Sequence, residues 1–166
     1  LAEQLVGVIP KGLNRIFYSD NGSTAVEAAI KMALQYWRNR EEPRRTTLIT
    51  LHHAYHGDTV GAMSASEDSV FTRAFAPLLF PVVRAHAPYC YRCPLGLRRE
   101  SCHIDCLGDL ERRLEEHSGQ TAAVLVEPML QGAGGMIVWP VEFLSGVRAL
   151  WARANEELGL LPSEIA

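Results

Sequence analysis

One stretch, residues 17–33, constrains the fold of this chain more than any other. It opens with aromatic and polar residues, turns at an Asn-Gly dipeptide that ends in Gly22, and continues as an apolar pattern of helical period. Asn-Gly favours a tight turn, and Ser23 or Thr24 is suited to cap a helix. The pattern therefore predicts a short strand, a turn and a helix to about residue 38, with Glu27 near the position of a capping-box carboxylate.

A strand that runs through a glycine turn into a helix leaves the first N–H groups of that helix unpaired. Because these groups lie at the positive end of the helix dipole, the turn at Gly22 and Ser23 is suited to bind an anion such as phosphate. An ordinary capped helix would carry the same residues and bind nothing. From this stretch alone, both interpretations stand.

Length and composition set wider bounds on the function. The chain has 166 residues, enough for one domain with a buried core, and 48% of them are hydrophobic. The net charge is −3 and the arginines are dispersed, so nothing predicts nucleic-acid binding. No apolar run is long enough to cross a membrane, and there is no signal-peptide pattern, which favours a cytoplasmic location.

Both ends of the chain have the pattern of interrupted elements. The first residue is Leu1, which already lies in a segment of helical pattern, and a strand-like segment begins at Leu160 just before the last residue. We therefore expect residues 1–166 to be an internal piece of a larger domain.

Strand and helix patterns alternate along the chain. Residues 46–51 and 122–126 are short apolar runs typical of buried strands, whereas residues 109–117 and 141–158 have a helical period. This alternation predicts an α/β fold with a mainly parallel sheet and helices on both faces. The other segments are expected to be a surface loop at 38–45, a polar turn at 52–58, a short helix at 59–65, an irregular stretch at 67–84 and a flexible loop at 131–135.

Three polar clusters follow predicted strands, at the edge where α/β sheets bind their ligands. They are residues 21–24, residues 53–58 and Glu127. Because three separate strand ends carry polar or aromatic groups, the sequence predicts a ligand site at this edge of the sheet.

Each of these residues also has a purely structural interpretation. Tyr55 stacks on a flat ring or packs as a half-buried loop aromatic. His56 takes part in acid–base chemistry or is a loop histidine that is simply solvated or hydrogen-bonded. Asp58 orients a ligand or caps the next helix, and Glu127 faces a cleft or is a plain surface charge.

The four cysteines form two close pairs within and directly after the proline-rich segment 85–105. Cys90 and Cys93 have the spacing of a zinc ligand pair, while Cys102 and Cys106 are one residue further apart than is usual. A four-thiolate zinc site is one interpretation, and four reduced thiols in a surface loop is the other. A redox role is less favoured, because the first pair lies in a proline-flanked loop and not at a helix start.

Three segments together resemble the class III pyridoxal-phosphate aminotransferases. Residues 20–29 (DNGSTAVEAA) resemble the phosphate-binding segment of that family, and residues 53–64 (HAYHGDTVGAMS) resemble its ring-stacking segment. Residues 126–136 (VEPMLQGAGGM) match a third family segment. The likeness extends over nearly the whole chain, to about residue 161.

Three further details resemble the members of the class that act in biotin synthesis. They are the sequence ALQYW at 33–37, tyrosine instead of phenylalanine at Tyr55, and the sequence CYRCP at 90–94. This resemblance implies amino transfer from S-adenosylmethionine to 8-amino-7-oxononanoate, which gives 7,8-diaminononanoate.

The resemblance also implies a cofactor and roles for matching residues. Gly22 and Ser23 would hold the phosphate of pyridoxal 5'-phosphate through backbone N–H groups and the hydroxyl. Tyr55 would stack on the pyridine ring and border the substrate, and Glu127 would lie near the ring. The implied fold is part of the large cofactor-binding domain of a fold-type I aminotransferase, which usually forms a homodimer with the active site at the interface.

Two departures from the family pattern concern catalysis. The chain has two lysines, Lys11 and Lys31, and neither matches the lysine that bonds to the cofactor and moves the proton. Ser163 stands where the family has the aspartate that pairs with the ring nitrogen, and Pro162 is a poor residue for a central strand. We expect the catalytic-lysine segment and the small C-terminal domain to lie outside residues 1–166, and the chain alone to be inactive, so no catalytic residue is assigned within it.

Three alternatives remain open at this point. The first is another class III aminotransferase that acts on ω-amino acids, ornithine or 4-aminobutyrate. The second is a non-catalytic truncated chain that persists as a partner of an intact subunit or as a gene remnant. The third is a zinc-binding module built on the four cysteines.

Overall fold

A three-stranded parallel sheet forms the centre of the molecule. The structure is a computed structural model that describes residues 1–10 and 12–156. Strands β1 (Thr47–Leu51), β2 (Val83–Ala85) and β3 (Thr121–Val124) pair in the order β2-β1-β3. Ile49 lies opposite Val83 on one side of β1 and opposite Val124 on the other. The predicted parallel α/β sheet is thus confirmed.

Residues 1–10 and 12–156 also contain five helices and a small hairpin. The hairpin pairs β4 (Leu130–Gln131) with β5 (Ile137–Val138) in the antiparallel sense. The helices are α1 (Ala2–Val6), α2 (Gly22–Asn39), α3 (Val60–Ala65), α4 (Leu107–Glu116) and α5 (Val141–Glu156), and 3-10 turns occur at Arg73–Leu78, Cys90–Arg92 and Arg99–Ser101.

Helices cover both faces of the sheet. Successive residues of a strand point to opposite sides, so neighbouring apolar residues of β1 pack in different clusters. Ile49 of β1 is buried in a large apolar cluster with Leu110 of α4 and Phe143 of α5. Leu48, the neighbour of Ile49, lies in a second, smaller cluster with Trp37 of α2. The sheet therefore separates an α4/α5 face from an α2 face, as the sequence predicts.

One expectation about local structure is wrong, and three others are incomplete. Residues 17–19 are not a strand, since no described residue pairs with them and a strand needs a hydrogen-bonded neighbour. The irregular stretch 67–84 ends in β2, and the loop expected at 131–135 connects the hairpin strands. In the loop 38–45, Arg45 is buried, donates to the Thr121 carbonyl at 2.9 Å and stacks over the Trp37 ring at 4.0 Å.

Most predicted helices agree with the observed ones to within two residues. The helix predicted at 141–158 is described as far as Glu156, and its last residues, like Leu160, Pro162 and Ser163, lie outside the described residues. Within the described residues, no helix is both long and apolar enough to cross a membrane.

Candidate functional site

The turn before α2 presents unpaired backbone N–H groups. Asn21 is the N-cap residue: its side-chain oxygen accepts the Thr24 N–H at 3.0 Å, and its carbonyl accepts the Ala25 N–H at 3.1 Å. The N–H groups of Gly22 and Ser23 have no acceptor among the described residues. The cap is therefore Asn21 and not Ser23 or Thr24 as expected, and this arrangement leaves the two residues proposed to bind phosphate free to donate.

Ser23 joins this turn to the segment after β1. Its hydroxyl oxygen accepts the Asp58 N–H at 3.1 Å, so the hydroxyl proton remains available for another acceptor. Gly57 has φ +128°, and a Cβ at this position would lie 2.8 Å from Ser23 Cα. Only glycine fits such a close approach of two backbones. The structure thus brings together two of the three polar clusters predicted from the sequence.

Tyr55 lies between the same turn and the third cluster. Its backbone N–H donates to Glu127 at 2.9 Å, and its hydroxyl donates to the Asp58 carboxylate at 3.0 Å. The hydrogen bond to Asp58 raises the pKa of Tyr55 above its ordinary value. The side chain is 38% exposed, so one part of the ring is held by the protein and another is open to a ligand. This partial exposure fits a stacking surface and a half-buried loop aromatic alike.

Glu127 connects the segment after β3 to the hairpin. Its second carboxylate oxygen accepts the Gly132 N–H at 3.2 Å, while the first holds Tyr55. Gly134 in the same hairpin loop packs directly on the backbone carbonyl of His53, where a Cβ would overlap it. Glu127 is therefore neither a free surface charge nor an isolated ligand, but the carboxylate that anchors the Tyr55 backbone.

Two residues of the second cluster differ from the simplest expectation. His56 is buried rather than solvated, and burial lowers its pKa to about 4, so it is neutral at neutral pH. Its backbone N–H donates to the Ser66 hydroxyl at 2.9 Å. Asp58 does not cap α3, because the N-cap is Thr59, and its carboxylate accepts the Tyr55 hydroxyl instead.

A cleft of about 640 Å³ opens beside the Tyr55 ring. Glu67 lies in its wall, accepting the His53 N–H and the His52 ring nitrogen, both at 2.9 Å. Burial disfavours the charge on Glu67, but these hydrogen bonds outweigh burial and lower its pKa. Asp20, which directly precedes the anion-binding turn, carries another carboxylate. The hydrogen bond from the Thr24 hydroxyl lowers the pKa of Asp20. Any anion bound at Gly22 therefore needs the helix N–H groups to offset a nearby negative charge.

Glu27 does not serve its own helix. Its carboxylate accepts the Thr59 hydroxyl at 2.6 Å and the Gly61 N–H at 2.9 Å, so it caps α3 instead of α2. Sequence reasoning missed this role, because the partners lie more than thirty positions away and no local motif marks them. Gln131 was missed in the same way: fully buried, it donates to the His52 carbonyl at 2.9 Å.

None of the four cysteines lines the cleft beside Tyr55, although Tyr89, next to Cys90, packs edge to face on His53 in its wall. All four cysteines are free thiols, from exposed Cys90 to buried Cys106, whose pKa is raised by burial to about 12. Across residues 1–10 and 12–156, no group of three or more His, Cys, Asp or Glu side chains is placed to hold a metal ion. The structure therefore gives the zinc alternative no support.

Among the described residues, Lys31 does not line the cleft beside Tyr55. Lys31 is an exposed residue of α2, nine positions after Gly22, and Lys11 lies outside the described residues.

The class III aminotransferase family model matches residues 1–158 of the chain. This chain belongs to that family. Its phosphate-turn and ring-stacking segments, proposed from the sequence, are the ones that the fold brings into contact at Ser23 and Asp58.

Relatives within the class III aminotransferases are close in sequence. The chain is 48% identical over 167 residues to the adenosylmethionine-8-amino-7-oxononanoate aminotransferase of Geobacter sulfurreducens, an alignment that covers 100% of this chain and 36% of the relative. It is 51% identical over 155 residues to the protein of the same name from Nitratidesulfovibrio vulgaris, covering 92% of this chain and 29% of the relative. The chain thus spans about a third of the length of these relatives.

Solved structures of class III relatives have the same fold. The adenosylmethionine-8-amino-7-oxononanoate aminotransferase of Methanocaldococcus jannaschii superposes with a TM-score of 0.81 at 36% identity, covering 93% of this chain and 32% of that one. An amine transaminase from an uncultivated Pseudomonas species, in its PLP-bound form, gives a TM-score of 0.80 at 34% identity, covering 93% and 35%. The chain therefore has the fold of part of a PLP-dependent transaminase.

Proposed function

We propose that this chain carries the phosphate-binding and ring-stacking parts of a pyridoxal 5'-phosphate site. The observation that supports this most is the hydrogen bond from the Asp58 N–H to the Ser23 hydroxyl, which joins the anion-binding turn to the Tyr55 segment. Gly22 and Ser23 supply two unpaired N–H groups and a hydroxyl proton for the phosphate. The partly exposed Tyr55 ring supplies a flat surface for the pyridine ring.

The chain's own contribution is binding and orientation. Bound pyridoxal 5'-phosphate supplies the electron sink and the carrier for the amino group. Asp58 holds the Tyr55 hydroxyl, and Glu127 holds the Tyr55 backbone, so the ring plane is fixed from two directions. A fixed ring lowers the entropic cost of orienting the cofactor.

We further propose that the complete protein transfers an amino group from S-adenosylmethionine to 8-amino-7-oxononanoate. Two relatives that carry this name, those of Geobacter sulfurreducens and Nitratidesulfovibrio vulgaris, match 100% and 92% of the chain at 48% and 51% identity. In this proposal the lysine that bonds to the cofactor is supplied from outside residues 1–166, so the chain alone binds cofactor but does not turn over.

Cofactor binding is testable on the chain itself by fluorescence titration with pyridoxal 5'-phosphate. Replacing Ser23 by Ala removes a hydroxyl donor to a charged phosphate, a contact worth about 1.5–3 kcal/mol, so the Kd should rise by about 10- to 100-fold. Pyridoxal, which lacks the phosphate, should bind the two forms alike. Ser101→Ala, at an exposed serine far from the site, is the matched control. If the parent chain binds pyridoxal 5'-phosphate no better than pyridoxal, the phosphate site is wrong.

The substrate proposal needs a complete enzyme. In the test, residues 1–156 of this chain replace the matching segment of the Geobacter sulfurreducens relative. The resulting chimera should accept S-adenosylmethionine and 8-amino-7-oxononanoate. Activity with 4-aminobutyrate or ornithine instead would favour the alternative of another ω-aminotransferase, toward which the likeness to an amine transaminase also points. Loss of all activity in a folded chimera would favour the non-catalytic alternative.

The proposal includes a homodimer in the cytoplasm. Support comes from the exposed apolar side chains of residues 70–80, among which Phe71 is 75% exposed and lines the cleft beside Tyr55. Light scattering of the chimera should give the mass of two chains, and a Phe71→Asp variant should shift it towards one.

A further inference from the structure

Glu27 occupies the junction between the two halves of the proposed cofactor site. One oxygen of its carboxylate accepts three hydrogen bonds, from the Thr59 hydroxyl at 2.6 Å, the Gly61 N–H at 2.9 Å and the Ala62 N–H at 3.1 Å. The other oxygen is 3.2 Å from the Gly61 nitrogen. The carboxylate therefore takes the place of a capping side chain for α3, whose own N-cap Thr59 makes no side-chain cap bond.

Ser23 and Glu27 act from the same side of α2. They are four positions apart, which places both on one face of the helix. Ser23 accepts the Asp58 N–H, and the Thr59 hydroxyl lies 3.3 Å from the Ser23 carbonyl oxygen as well as 2.6 Å from Glu27. The first two turns of α2 thus hold four residues of the segment 58–62.

The Glu27 carboxylate lies directly against the Gly61 backbone. A Cβ on Gly61 would lie 2.7 Å from each Glu27 carboxylate oxygen. Since real Cβ atoms do not approach other atoms so closely, the backbone at Gly61 is in direct contact with the carboxylate. Glu27 therefore fills the space between α2 and the start of α3 as well as accepting hydrogen bonds there.

The same segment continues to the Tyr55 ring. Asp58, whose backbone is bound to Ser23, uses its carboxylate to hold the Tyr55 hydroxyl at 3.0 Å. A shift of α3 relative to α2 would therefore move Tyr55 relative to the N–H groups of Gly22 and Ser23.

We propose that Glu27 is a positioning residue that sets the distance between the phosphate-binding turn and the Tyr55 ring. It does not touch the cofactor. The turn itself is built by Asn21 and is independent of Glu27, so the loss of Glu27 should spare phosphate binding and impair only the simultaneous binding of phosphate and ring. This inference rests on the proposed function, and its test separates the two.

The test compares two ligands on the whole chain: inorganic phosphate, which needs only the turn, and pyridoxal 5'-phosphate, which needs the turn and the ring. In Glu27→Ala, the Kd for pyridoxal 5'-phosphate should rise at least tenfold, while the Kd for phosphate changes less than twofold. Glu27→Gln, which keeps the length and one acceptor oxygen, should fall between the parent and Glu27→Ala. Glu115→Ala, at an exposed glutamate of α4, is the control.

A second variant tests the contact directly. Gly61→Ala should weaken pyridoxal 5'-phosphate binding at least tenfold in the parent, because its methyl group displaces the carboxylate. In the Glu27→Ala background the methyl group has space, so Gly61→Ala should weaken pyridoxal 5'-phosphate binding less than threefold. Gly108→Ala, where a Cβ meets nothing within 4 Å, should be neutral in both backgrounds.

The outcomes are distinguishable. Equal losses of phosphate and pyridoxal 5'-phosphate affinity in Glu27→Ala would show a general loss of structure and overturn the positioning role. Equal effects of Gly61→Ala in both backgrounds would also overturn it. If the parent chain binds phosphate but shows no preference for pyridoxal 5'-phosphate, the proposed function fails instead.

Discussion

On the α4/α5 face of the sheet, Phe143 and Leu110 are fully buried against Ile49, and the cluster extends to the hairpin through Ile137. On the α2 face, the buried apolar side chains are fewer, namely Ile30, Trp37, Leu48 and Ala122. Beside them, between α2 and α5, a groove of about 790 Å³ follows the outer edge of β3.

The two faces are held by different interactions. The α4/α5 face depends on apolar burial, which is strong and insensitive to pH. The α2 face is tied by polar contacts, such as the Trp37 indole N–H on the Ala122 carbonyl at 2.7 Å and the Glu27 carboxylate on α3. Polar contacts of this kind hold the residues of the proposed cofactor site. Fold stability and site geometry should therefore respond to different substitutions.

The largest effect on the free energy of unfolding is expected from a substitution on the α4/α5 face. Phe143→Ala removes a fully buried ring from the larger cluster and should lower the free energy of unfolding by about 3–5 kcal/mol, measured by urea unfolding followed by circular dichroism. Phe75→Ala, at a ring that is 48% exposed, should change it by less than about 1 kcal/mol. Similar losses for the two variants would mean that the larger cluster is not the main source of stability.

This contrast also explains what the sequence could predict. Helices α2 and α5 were predictable because their apolar residues recur with a clear period over a long run, and strand β1 because it is a short run of β-branched and apolar residues. Strand β2 was missed because it has only three residues and follows Pro81, so no period is visible. The strand expected at 17–19 failed for another reason, because a strand depends on a partner that no described residue provides.

The candidate site was predictable only in part. Gly22, Ser23 and Tyr55 follow turn signals and match family segments, so their positions could be read from the chain. The interactions of Glu27 and Arg45 depend on residues far away in the sequence, and both are charged residues that local reasoning assigns to a cap or a surface. Sequence therefore located the residues that we propose to face the ligand, but not the residues that hold them.

A change of pH should have an intermediate effect on the free energy of unfolding, through a buried histidine on the α2 face. Burial lowers the pKa of His56 to about 4, below the 6.5 of the unfolded chain, so the unfolded state binds more protons between these values. The stability contribution is fully present above pH 6.5 and is lost as the pH falls towards 4. Between pH 7.5 and pH 5 the free energy of unfolding should fall by about 2 kcal/mol, measured by urea unfolding at each pH.

Two variants identify the source of this pH dependence. His56→Gln has no group that titrates in this range, so its stability should be nearly flat between pH 7.5 and pH 5. His103→Gln, at an exposed histidine, should keep the slope of the parent. If the unfolding free energy of His56→Gln depends on pH as strongly as that of the parent, His56 is not buried in solution. The α2 face would then no longer differ from the α4/α5 face in its response to pH.

The smallest effect is expected in the groove, and it tests whether this part of the α2 face is open. Met32 lines the groove and is 49% exposed, whereas Met63 of α3 is 8% exposed. Met63→Ala should cost about 2–5 kcal/mol of unfolding free energy, while Met32→Ala should change it by less than about 0.5 kcal/mol, because a half-exposed side chain leaves no cavity. Both values come from urea unfolding at low protein concentration. If Met32→Ala costs as much as Met63→Ala, the groove is covered in solution and the two faces are equally closed. A cost for Met32→Ala that grows with protein concentration would show that a second copy of the chain provides the cover, because association stabilises by mass action.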